Sequence, residues 1–343
     1  MINSSRNKII FIILGVALLL SVLLNLSLGS VSIPFKDVIN SFTGSGVEKE
    51  SWRYIILNYR SPKAITAILA GSGLAVSGLL MQTLFKNPLA GPYVLGLSSG
   101  ASLGVAFLIM GASLFGGVLG IFLLSKWSLV IASSLGSLLV LLAVVITSVK
   151  LRDTMAILII GLMFANLTAA VVSVLAYFSP ASQLQQYIFW SFGSLGNLSW
   201  NEVFILFLFW FAGIILSIYS IKSLNSLLLG EDYAKSLGTK ISSSRFIIIV
   251  ATSLLAGSIT AFSGPIAFVG LAVPHLIRQL IPTANHLILI PAVIFGGAIL
   301  MVLCDIIAQL PGIDYSLPIN AITSLVGAPV VIWILVRKQK FNF

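Results

Sequence analysis

Two stretches of the chain match each other: Leu69-Ala-Gly-Ser-Gly-Leu-Ala-Val-Ser-Gly78 and Leu255-Ala-Gly-Ser-Ile-Thr-Ala-Phe-Ser-Gly264, which are identical at seven of ten positions. A Gly-Pro pair accompanies each stretch, in Gly91-Pro-Tyr-Val-Leu-Gly-Leu97 and in Gly264-Pro-Ile-Ala-Phe-Val-Gly-Leu271. Small residues recur wherever membrane helices pack closely, because backbones then approach and gain dispersion contacts. That explains the Gly, Ala and Ser but not the repeated Gly-Pro pair. We therefore interpret the two stretches as an internal repeat.

The composition places this repeat in a membrane protein. Of the 343 residues, 58% are hydrophobic and 8% are charged, and the mean hydropathy is +1.11. A soluble domain carries roughly a quarter charged residues, so a soluble two-domain enzyme is excluded. A membrane helix takes about 20 apolar residues. Ten apolar runs are long enough to span a bilayer: 9–28, 64–84, 94–110, 129–149, 154–178, 203–219, 246–262, 268–280, 287–304 and 317–336.

The position of the repeat among these runs indicates the architecture. Its two stretches fall on the second and seventh runs, five apart, so they cross the membrane in opposite directions. Inverted repeats of this kind recur in transport proteins. The predicted fold class is all-α: a polytopic membrane protein with about ten transmembrane helices and an inverted internal repeat. Pro88, Pro92 and Pro265 lack an amide hydrogen and break helices, so short, discontinuous helices are expected there.

Two apolar stretches have a second interpretation. The first run follows Arg6 and Lys8 and precedes Ser27-Leu28-Gly29, a pattern also found in signal peptides; because nine further runs follow, we interpret it as an uncleaved signal-anchor. The stretch 112–124 is either the extension of a span or a surface helix.

The charges predict the orientation, because Lys and Arg collect in cytoplasmic loops. With the N-terminus inside, the inner loops hold thirteen Lys and Arg and three Asp and Glu, a net +10, whereas the outer loops hold six of each. Nucleic-acid binding would need a clustered basic face, which the dispersed charges do not form. Both termini are therefore predicted to be cytoplasmic.

Chemistry-bearing residues are scarce. The sequence has no phosphate-binding Gly-x-x-x-x-Gly-Lys motif, and the single cysteine, Cys304, excludes a disulfide or multi-Cys metal site within the chain. His275 and His286 are not at chelating spacing. An ion-driven transporter needs carboxylates within its spans, but Asp305 and Glu202 lie near the outer ends of theirs. We expect no catalytic residues and no metal site, and an energy source in another protein.

One inner segment could receive that energy. Residues 225–245 include Leu227-Leu-Leu-Gly230-Glu-Asp-Tyr-Ala234-Lys-Ser-Leu237-Gly238, predicted as a short amphipathic helix with acidic residues in its first turn and a glycine at its end. With Leu227, Ala234 and Leu237 on one face, it could dock into a groove of a partner. It could equally lie on the lipid surface.

Several motifs together carry a family resemblance. They are Asn87-Pro-Leu-Ala-Gly-Pro92 with Leu95-Gly-Leu-Ser-Ser-Gly-Ala101, Trp190-Ser-Phe-Gly-Ser-Leu195 with Trp200, Gly230-Glu-x-x-Ala-x-x-Leu-Gly238, Ser263-Gly-Pro-Ile-Ala-Phe-Val-Gly-Leu-Ala-Val-Pro-His275-x-x-Arg278, and Leu317-Pro-Ile-Asn-Ala-Ile-Thr-Ser-Leu-Val-Gly-Ala-Pro329. From about Arg60 to Arg337 the chain resembles the permease subunits of FecCD-type ABC importers for iron–siderophore complexes, haem and vitamin B12.

The resemblance implies an assembly. A single permease domain over residues 1–343, with an outer segment 29–62 and a cytoplasmic coupling segment 220–245, would form a homodimer in the cytoplasmic (inner) membrane. Two cytoplasmic ATPase subunits would bind the ATP and Mg, so this chain needs no cofactor of its own, and an extracytoplasmic binding protein would deliver the substrate. An iron–siderophore complex is the first candidate, haem the second and a corrinoid the third.

The resemblance also implies residue roles. Contact with the ATPase would involve Leu227, Gly230, Glu231, Ala234, Leu237 and Gly238. Helix breaks and gating would involve Asn87, Pro88, Gly91, Pro92, Gly264, Pro265, Pro274, His275 and Arg278. Of these, His275 is expected to be structural, with haem ligation as the alternative. The aromatic and amide-rich stretch 177–200 is interpreted as an interfacial belt, or as an outer gate helix.

The family's basic patch for the binding protein is altered in this sequence. Its Arg-x-Pro-Arg motif reads Arg60-Ser-Pro-Lys63, and a further arginine is replaced by Gln309. Lysine supplies charge but no bidentate fork, so a weaker patch is expected. Arg60 and Lys63 could instead anchor at the membrane interface by snorkelling. Two other functional classes stay open: an ion-coupled secondary transporter and a structural membrane scaffold.

Overall fold

A computed structural model describes residues 4–44, 46–111, 125–150, 154–196, 198–309 and 315–336. Every regular element within these ranges is helical, which confirms the all-α prediction. The α-helices are α1 (Ser4–Ser27), α2 (Phe35–Thr43), α3 (Glu50–Ile55), α4 (Ser61–Leu84), α5 (Leu97–Gly111), α6 (Lys126–Lys150), α7 (Thr154–Phe178), α8 (Ala181–Ser191), α9 (Trp200–Tyr219), α10 (Ile221–Leu228), α11 (Glu231–Ser236), α12 (Ile241–Ser263), α13 (Val269–Leu280), α14 (His286–Ala308) and α15 (Ile319–Val336). A π-helical turn, Ile56–Arg60, joins α3 to α4, and a 3-10 turn, Pro92–Leu95, precedes α5.

Each of the ten predicted apolar runs contains a helix. Within the described residues, seven helices are long and apolar enough to cross a membrane: α1, the continuous α3–α4 helix, α6, α7, α9, α12 and α14. The remaining three runs form the shorter helices α5, α13 and α15. The stretch 112–124, for which two interpretations were open, lies outside the described residues.

The helices group into two compact units. The first comprises Met1–Leu79, Ser194–Phe211 and Ile266–Phe343, and the second Leu80–Gly193 and Ala212–Pro265. In the first unit α1 packs along α14, and α13, α14 and α15 pack against one another. In the second unit α5 packs against α6 and α7, and α6 also contacts α12. The glycines at these contacts lie directly against neighbouring backbones, as for Gly100 and Gly136 between α5 and α6.

The two copies of the sequence repeat occupy different places in their helices. The first lies in the middle of α4, whereas the second ends α12 at Gly264. Pro88 and Pro92 lie after α4, and Pro265 lies between α12 and α13. The predicted helix breaks at these three prolines are therefore confirmed.

Pro274 was wrongly included among the helix breaks, because α13 continues through it. A proline within a helix leaves the carbonyl four residues earlier without its usual donor, which here is the carbonyl of Gly270. Gly78 of α4 lies so close to this carbonyl that a Cβ atom on Gly78 would overlap it. Neighbouring helices commonly accommodate freed backbone groups inside a membrane protein. Gly78 thus packs directly on the turn of α13 that Pro274 interrupts.

Candidate functional site

Arg60 lies at the end of the π-helical turn and points at the end of α1. Its Nη1 donates to the carbonyl oxygens of Leu26, at 2.7 Å, and Ser27, at 3.0 Å, and its Nη2 donates to the carbonyl of Val31. The last carbonyls of a helix lack intrahelical partners and carry partial negative charge. The buried guanidinium therefore caps α1 and fixes the chain that leaves it.

Asp305, in the last turn of α14, is the centre of a second set of contacts. Its Oδ1 lies 3.0 Å from Nζ of Lys63. Its Oδ2 accepts hydrogen bonds from Asn25 Nδ2, at 2.8 Å, and from Gln309 Nε2, at 2.7 Å. Asp305 is 2% exposed. The carboxylate thus joins α1, the start of α4 and the end of α14.

We call Asn25, Arg60, Lys63, Asp305 and Gln309 the polar cluster. It brings together the three residues predicted to dock a binding protein, but Arg60 is buried and the Lys63 side chain is only 20% exposed. Their docking role, which the family resemblance implies, stays a prediction, but neither cation is fully open at the surface of the chain. They bind groups of their own chain, because a charge in an apolar setting is stabilised by a counter-ion or by backbone carbonyls.

Asn25 and Asp305 were not predicted as site residues. The sequence contains one weak signal for them: an amide and a carboxylate, each near the end of an apolar run. Nothing in the sequence indicates that these two runs lie side by side in the fold.

The predicted coupling segment consists of two short helices, α10 and α11, separated at Gly230, where φ is +114°. Glu231 and Asp232 occupy the first turn of α11, and Gly238 follows its end. These features confirm the predicted termini of the amphipathic helix.

The predicted docking face of this segment is wrong in two of its three residues. Leu227 and Ala234 are buried, whereas Leu237 is 59% exposed. The exposed apolar residues are instead Leu229, Tyr233 and Leu237, which we call the outward stripe. These three residues recur every four positions in the sequence, but none except Leu237 belonged to the predicted docking face. α11 contacts both α10 and α12, and Leu227 and Ala234 are covered by the chain itself.

An ion pair holds α11 against the following helix. Arg245 Nη2, near the start of α12, lies 2.5 Å from Glu231 Oε1, and both side chains are largely shielded from solvent. Ser226 and Thr239 bridge the two sides of the segment through their hydroxyl oxygens, which lie 3.0 Å apart. By contrast, the Asp232–Lys235 pair is exposed and contributes little.

The first predicted gating motif is a tight turn after α4. Asn87 Oδ1 accepts from the amide of Leu89 at 2.9 Å, and the Asn87 carbonyl accepts from the amide of Ala90 at 3.0 Å. Pro92 then opens the 3-10 turn. Asn87 supplies the hydrogen bonds that a helix would otherwise provide, as asparagine commonly does in turns.

The second predicted gating motif follows α12. Gly264 has a φ of +74°, and a Cβ atom there would lie 2.8 Å from the carbonyl of Trp190 and 2.9 Å from the Cα of Gly193. A residue without a side chain is therefore required by both the backbone and the neighbouring turn. The Trp190–Gly193 and Gly264–Pro265 motifs, which are distant in sequence, meet at this point of the second unit.

In the first unit, the continuation of this motif is held by α15. The amide of Ala267 donates to Asn320 Oδ1 at 3.0 Å. Phe268 has a φ of +66°, an uncommon conformation for a residue with a side chain, and Gly327 packs against it. His275 is buried further along α13, and Arg278 lies in the last turn of that helix. Asn320 was quoted as part of a motif but was not assigned a role.

The described residues contain no group of three or more His, Cys, Asp or Glu that could hold a metal ion.

Comparison with known families identifies the chain. The model of the FecCD transport family matches residues 17–337. The chain belongs to the FecCD transport family. It is 35% identical over 334 residues to the hemin transport system permease protein HmuU of Yersinia pestis, with 96% of each chain covered. It is 31% identical over 332 residues to the vitamin B12 import system permease protein BtuC of Shigella boydii, covering 95% of this chain and 94% of the relative.

The solved structures agree with this assignment. A structure described as an inward-facing conformation of a metal-chelate type ABC transporter has a TM-score of 0.80 and 30% sequence identity, covering 97% of this chain and all of that one. The resemblance seen in the sequence is thereby confirmed. The chain is an integral membrane protein of the ABC import permease type.

Proposed function

We propose that this FecCD-family chain is the membrane-spanning subunit of an ABC importer that carries a metal chelate across the cytoplasmic membrane. The observation that carries the proposal is the outward stripe of the coupling segment, in which Leu229 lies between α10 and α11, Tyr233 lies on α11 and Leu237 directly follows it. A surface in water would not favour three large exposed apolar side chains so close together, and such a stripe fits a hydrophobic groove. Since the sequence has no phosphate-binding motif of its own, the groove is assigned to a partner ATPase that binds ATP and Mg.

The proposed assembly is a homodimer with two cytoplasmic ATPases and an extracytoplasmic binding protein. Both termini are placed in the cytoplasm, following the excess of Lys and Arg in the inner loops. Nucleotide-driven movement of the ATPases would move the coupling segment, and the helices would exchange between two packings. Such an exchange requires only that a partner stabilise one packing over the other.

The proposed substrate is an iron–siderophore complex, haem or a corrinoid. The names of the relatives, hemin and vitamin B12 permeases, support this class of large chelate. Purified binding protein from the same transport system, titrated with a panel of ferric siderophores, haem and cobalamin, would identify the member. Binding of none of the three would reject the proposed substrate class.

The outward stripe provides the direct test of coupling. We expect Leu237→Ser to abolish the transport-stimulated ATPase activity of the reconstituted complex, because it removes an exposed apolar contact. Lys235→Ser is the matched control, since Lys235 is also exposed on α11 but its ion pair with Asp232 contributes little. Equal stimulation in the two variants would reject the stripe as the contact.

Glu231 requires a different test, because it already pairs with Arg245 within the chain. Glu231→Arg places two cations together and should displace α11, with loss of stimulated ATP hydrolysis. If the role of Glu231 is to position α11, the double exchange Glu231→Arg/Arg245→Glu restores the stimulation. Failure of the exchange in a normally inserted protein would assign Glu231 to the partner contact instead.

Docking of the binding protein is proposed at the outer segment 29–62, near the polar cluster. Arg60 is buried and Lys63 is paired with Asp305, so the exposed Lys49 and Arg53 are the better candidates for meeting it. Arg53→Glu should weaken binding-protein affinity, more so at low salt, because an exposed charge acts over the Debye length. Unchanged affinity would place the docking surface elsewhere.

An ion-coupled secondary transporter is the alternative function. Reconstitution distinguishes the two, because transport driven by an ion gradient in vesicles without ATPase or binding protein would reject the ABC assignment.

A further inference from the structure

Helix α2 (Phe35–Thr43) is amphipathic in the opposite sense to a helix on a water-exposed protein surface. Its three large apolar side chains, Phe35, Ile39 and Phe42, are all exposed. Their spacing of four and three residues places them on one helix face. Asp37 and Ser41 face the protein and are buried, with Val38 beside them. The polar groups are therefore inside and the apolar groups outside.

The buried polar groups of α2 have partners within the chain. Asp37 Oδ1 accepts from the amide of Glu48 at 3.3 Å, and Ser41 Oγ donates to the Asp37 carbonyl at 2.7 Å. The Ser41 bond lies within α2, whereas the Asp37–Glu48 bond and the packing of Val38 against Leu26, Ile56 and Ala64 tie this side of α2 to the protein. The apolar face is consequently held outward by specific contacts.

The position of α2 indicates what covers its apolar face of Phe35, Ile39 and Phe42. Val38 packs in a cluster with Leu26, in the last turn of α1, and with Ile56 and Ala64, at the start of the α4 span. α2 thus lies at the level where two membrane-spanning helices end. From Ile9 to Leu24 the exposed side chains of α1 are apolar, so the lipid-facing surface of α1 leads toward α2.

The residues around α2 are also typical of a membrane surface. Lys36 is exposed and flanks the apolar face, where it can meet anionic headgroups. In the same outer segment, Lys49 lies over the ring of Trp52 at 5.0 Å from its centroid, and Tyr54 and Tyr59 are exposed and contact each other. Trp and Tyr are enriched where a membrane meets water.

We propose that α2 lies in the lipid interface of the outer leaflet, with Phe35, Ile39 and Phe42 inserted among the acyl chains and Lys36 at the headgroups. The helix would anchor the outer segment 29–62 to the membrane surface and hold it level with the polar cluster. Insertion of α2 at a lipid interface rests on the chain being a membrane protein, and its assignment to the outer leaflet rests on the proposed orientation; neither depends on the substrate or on ATP-driven transport.

Spin labels on the full-length protein in lipid vesicles test the proposal. Ile39→Cys and Phe42→Cys are labelled separately in a Cys304→Ala background, and collision with oxygen, which concentrates in lipid, is compared with collision with a water-soluble nickel chelate. Labels at both positions are expected to favour oxygen. A label at Lys36→Cys, on the polar flank of the same helix, is the matched control and should favour the nickel chelate.

Three results would overturn the proposal. Preference for the nickel chelate at positions 39 and 42 would place the face in water, available to a binding protein. Spin–spin broadening at these positions, lost on dilution with unlabelled protein, would show a contact with a second copy. Shielding from both reagents without broadening would show that another part of the chain covers the face. Two labelled positions keep the test decisive if one substitution prevents insertion.

Discussion

The substitution Asp305→Asn separates the charge of the polar cluster from its shape. Asparagine has nearly the same size as aspartate, and its carbonyl oxygen still accepts hydrogen bonds. Its amide nitrogen, however, is a donor, and three donors already face this side chain: Lys63 Nζ at 3.0 Å, Asn25 Nδ2 at 2.8 Å and Gln309 Nε2 at 2.7 Å. At least one of these contacts becomes donor against donor, and Lys63 loses its counter-ion.

The burial of the pair sets the size of the effect. Removal of one partner from a fully buried ion pair costs about 3–5 kcal/mol. Asp305 meets that condition, but the Lys63 side chain is 20% exposed and part of its charge is screened by water. We therefore expect Asp305→Asn to lower the free energy of unfolding by about 2–3 kcal/mol. Lys63→Met should cost a similar amount, because it leaves the buried carboxylate with amide donors only.

A double-mutant cycle measures the interaction itself. Wild type, Asp305→Asn, Lys63→Met and the double variant are unfolded reversibly by titration with sodium dodecyl sulfate in mixed micelles and followed by circular dichroism. The double variant should be less destabilised than the sum of the single ones, by about 1–3 kcal/mol. Lys222→Met, at an exposed lysine, is the control for loss of a positive charge. Effects that add to within about 0.5 kcal/mol would refute the ion pair as the basis of the cluster.

Two further substitutions test helix packing and the loop before α13. Gly78→Ala should destabilise the folded protein by about 1–3 kcal/mol, because its Cβ would overlap the Gly270 carbonyl. Gly257→Ala, with no atom within 4 Å of its Cβ, should instead stabilise it by up to about 1 kcal/mol through helix propensity. Thermal unfolding in detergent compares the two variants, and stability changes of the same sign would contradict the packing argument. Asn320→Ala should lower the free energy of unfolding by about 1 kcal/mol, because the Ala267 amide loses its acceptor. Asn320→Asp keeps an acceptor and is the control. Equal losses of stability in the two variants would show that this hydrogen bond is unimportant.

The helices could be predicted from hydropathy, because helix formation in a membrane depends on the local composition of the chain. A run of about 20 apolar residues has few stable arrangements in lipid other than a helix, whatever lies beside it. The same local reasoning identified the breaks at Pro88, Pro92 and Pro265. It was wrong at Pro274, where α13 continues and where Gly78, almost 200 positions earlier in the chain, packs against the carbonyl of Gly270.

The exposure and the partners of the candidate site residues depend even more on contacts between residues that are distant in sequence. The amphipathic pattern of the coupling segment was visible, but the packing of α10 on α11 decided which of its apolar residues are exposed. Likewise, the motif Arg60-Ser-Pro-Lys63 was recognisable, yet its burial follows from Asp305 and from the end of α1. A motif identifies residues that matter together, whereas their roles follow from the partners that the fold supplies.

The partners of Arg60 and Lys63 bear on how a binding protein could act at this end of the permease. An open basic patch would bind acidic groups simply by charge attraction. A buried cluster that joins α1, α4 and α14 would instead have to be reached through the surrounding segment, and any shift of that segment would change the carbonyls that bind Arg60. If the binding protein engages the outer segment 29–62, the structure therefore favours an effect on helix packing over a simple electrostatic contact. Arg60→Lys distinguishes the two, because it keeps the charge but loses the fork that bonds Leu26, Ser27 and Val31 at once. For a docking contact the exchange would weaken binding-protein affinity and leave the free energy of unfolding unchanged, whereas for a helix cap it would lower the free energy of unfolding.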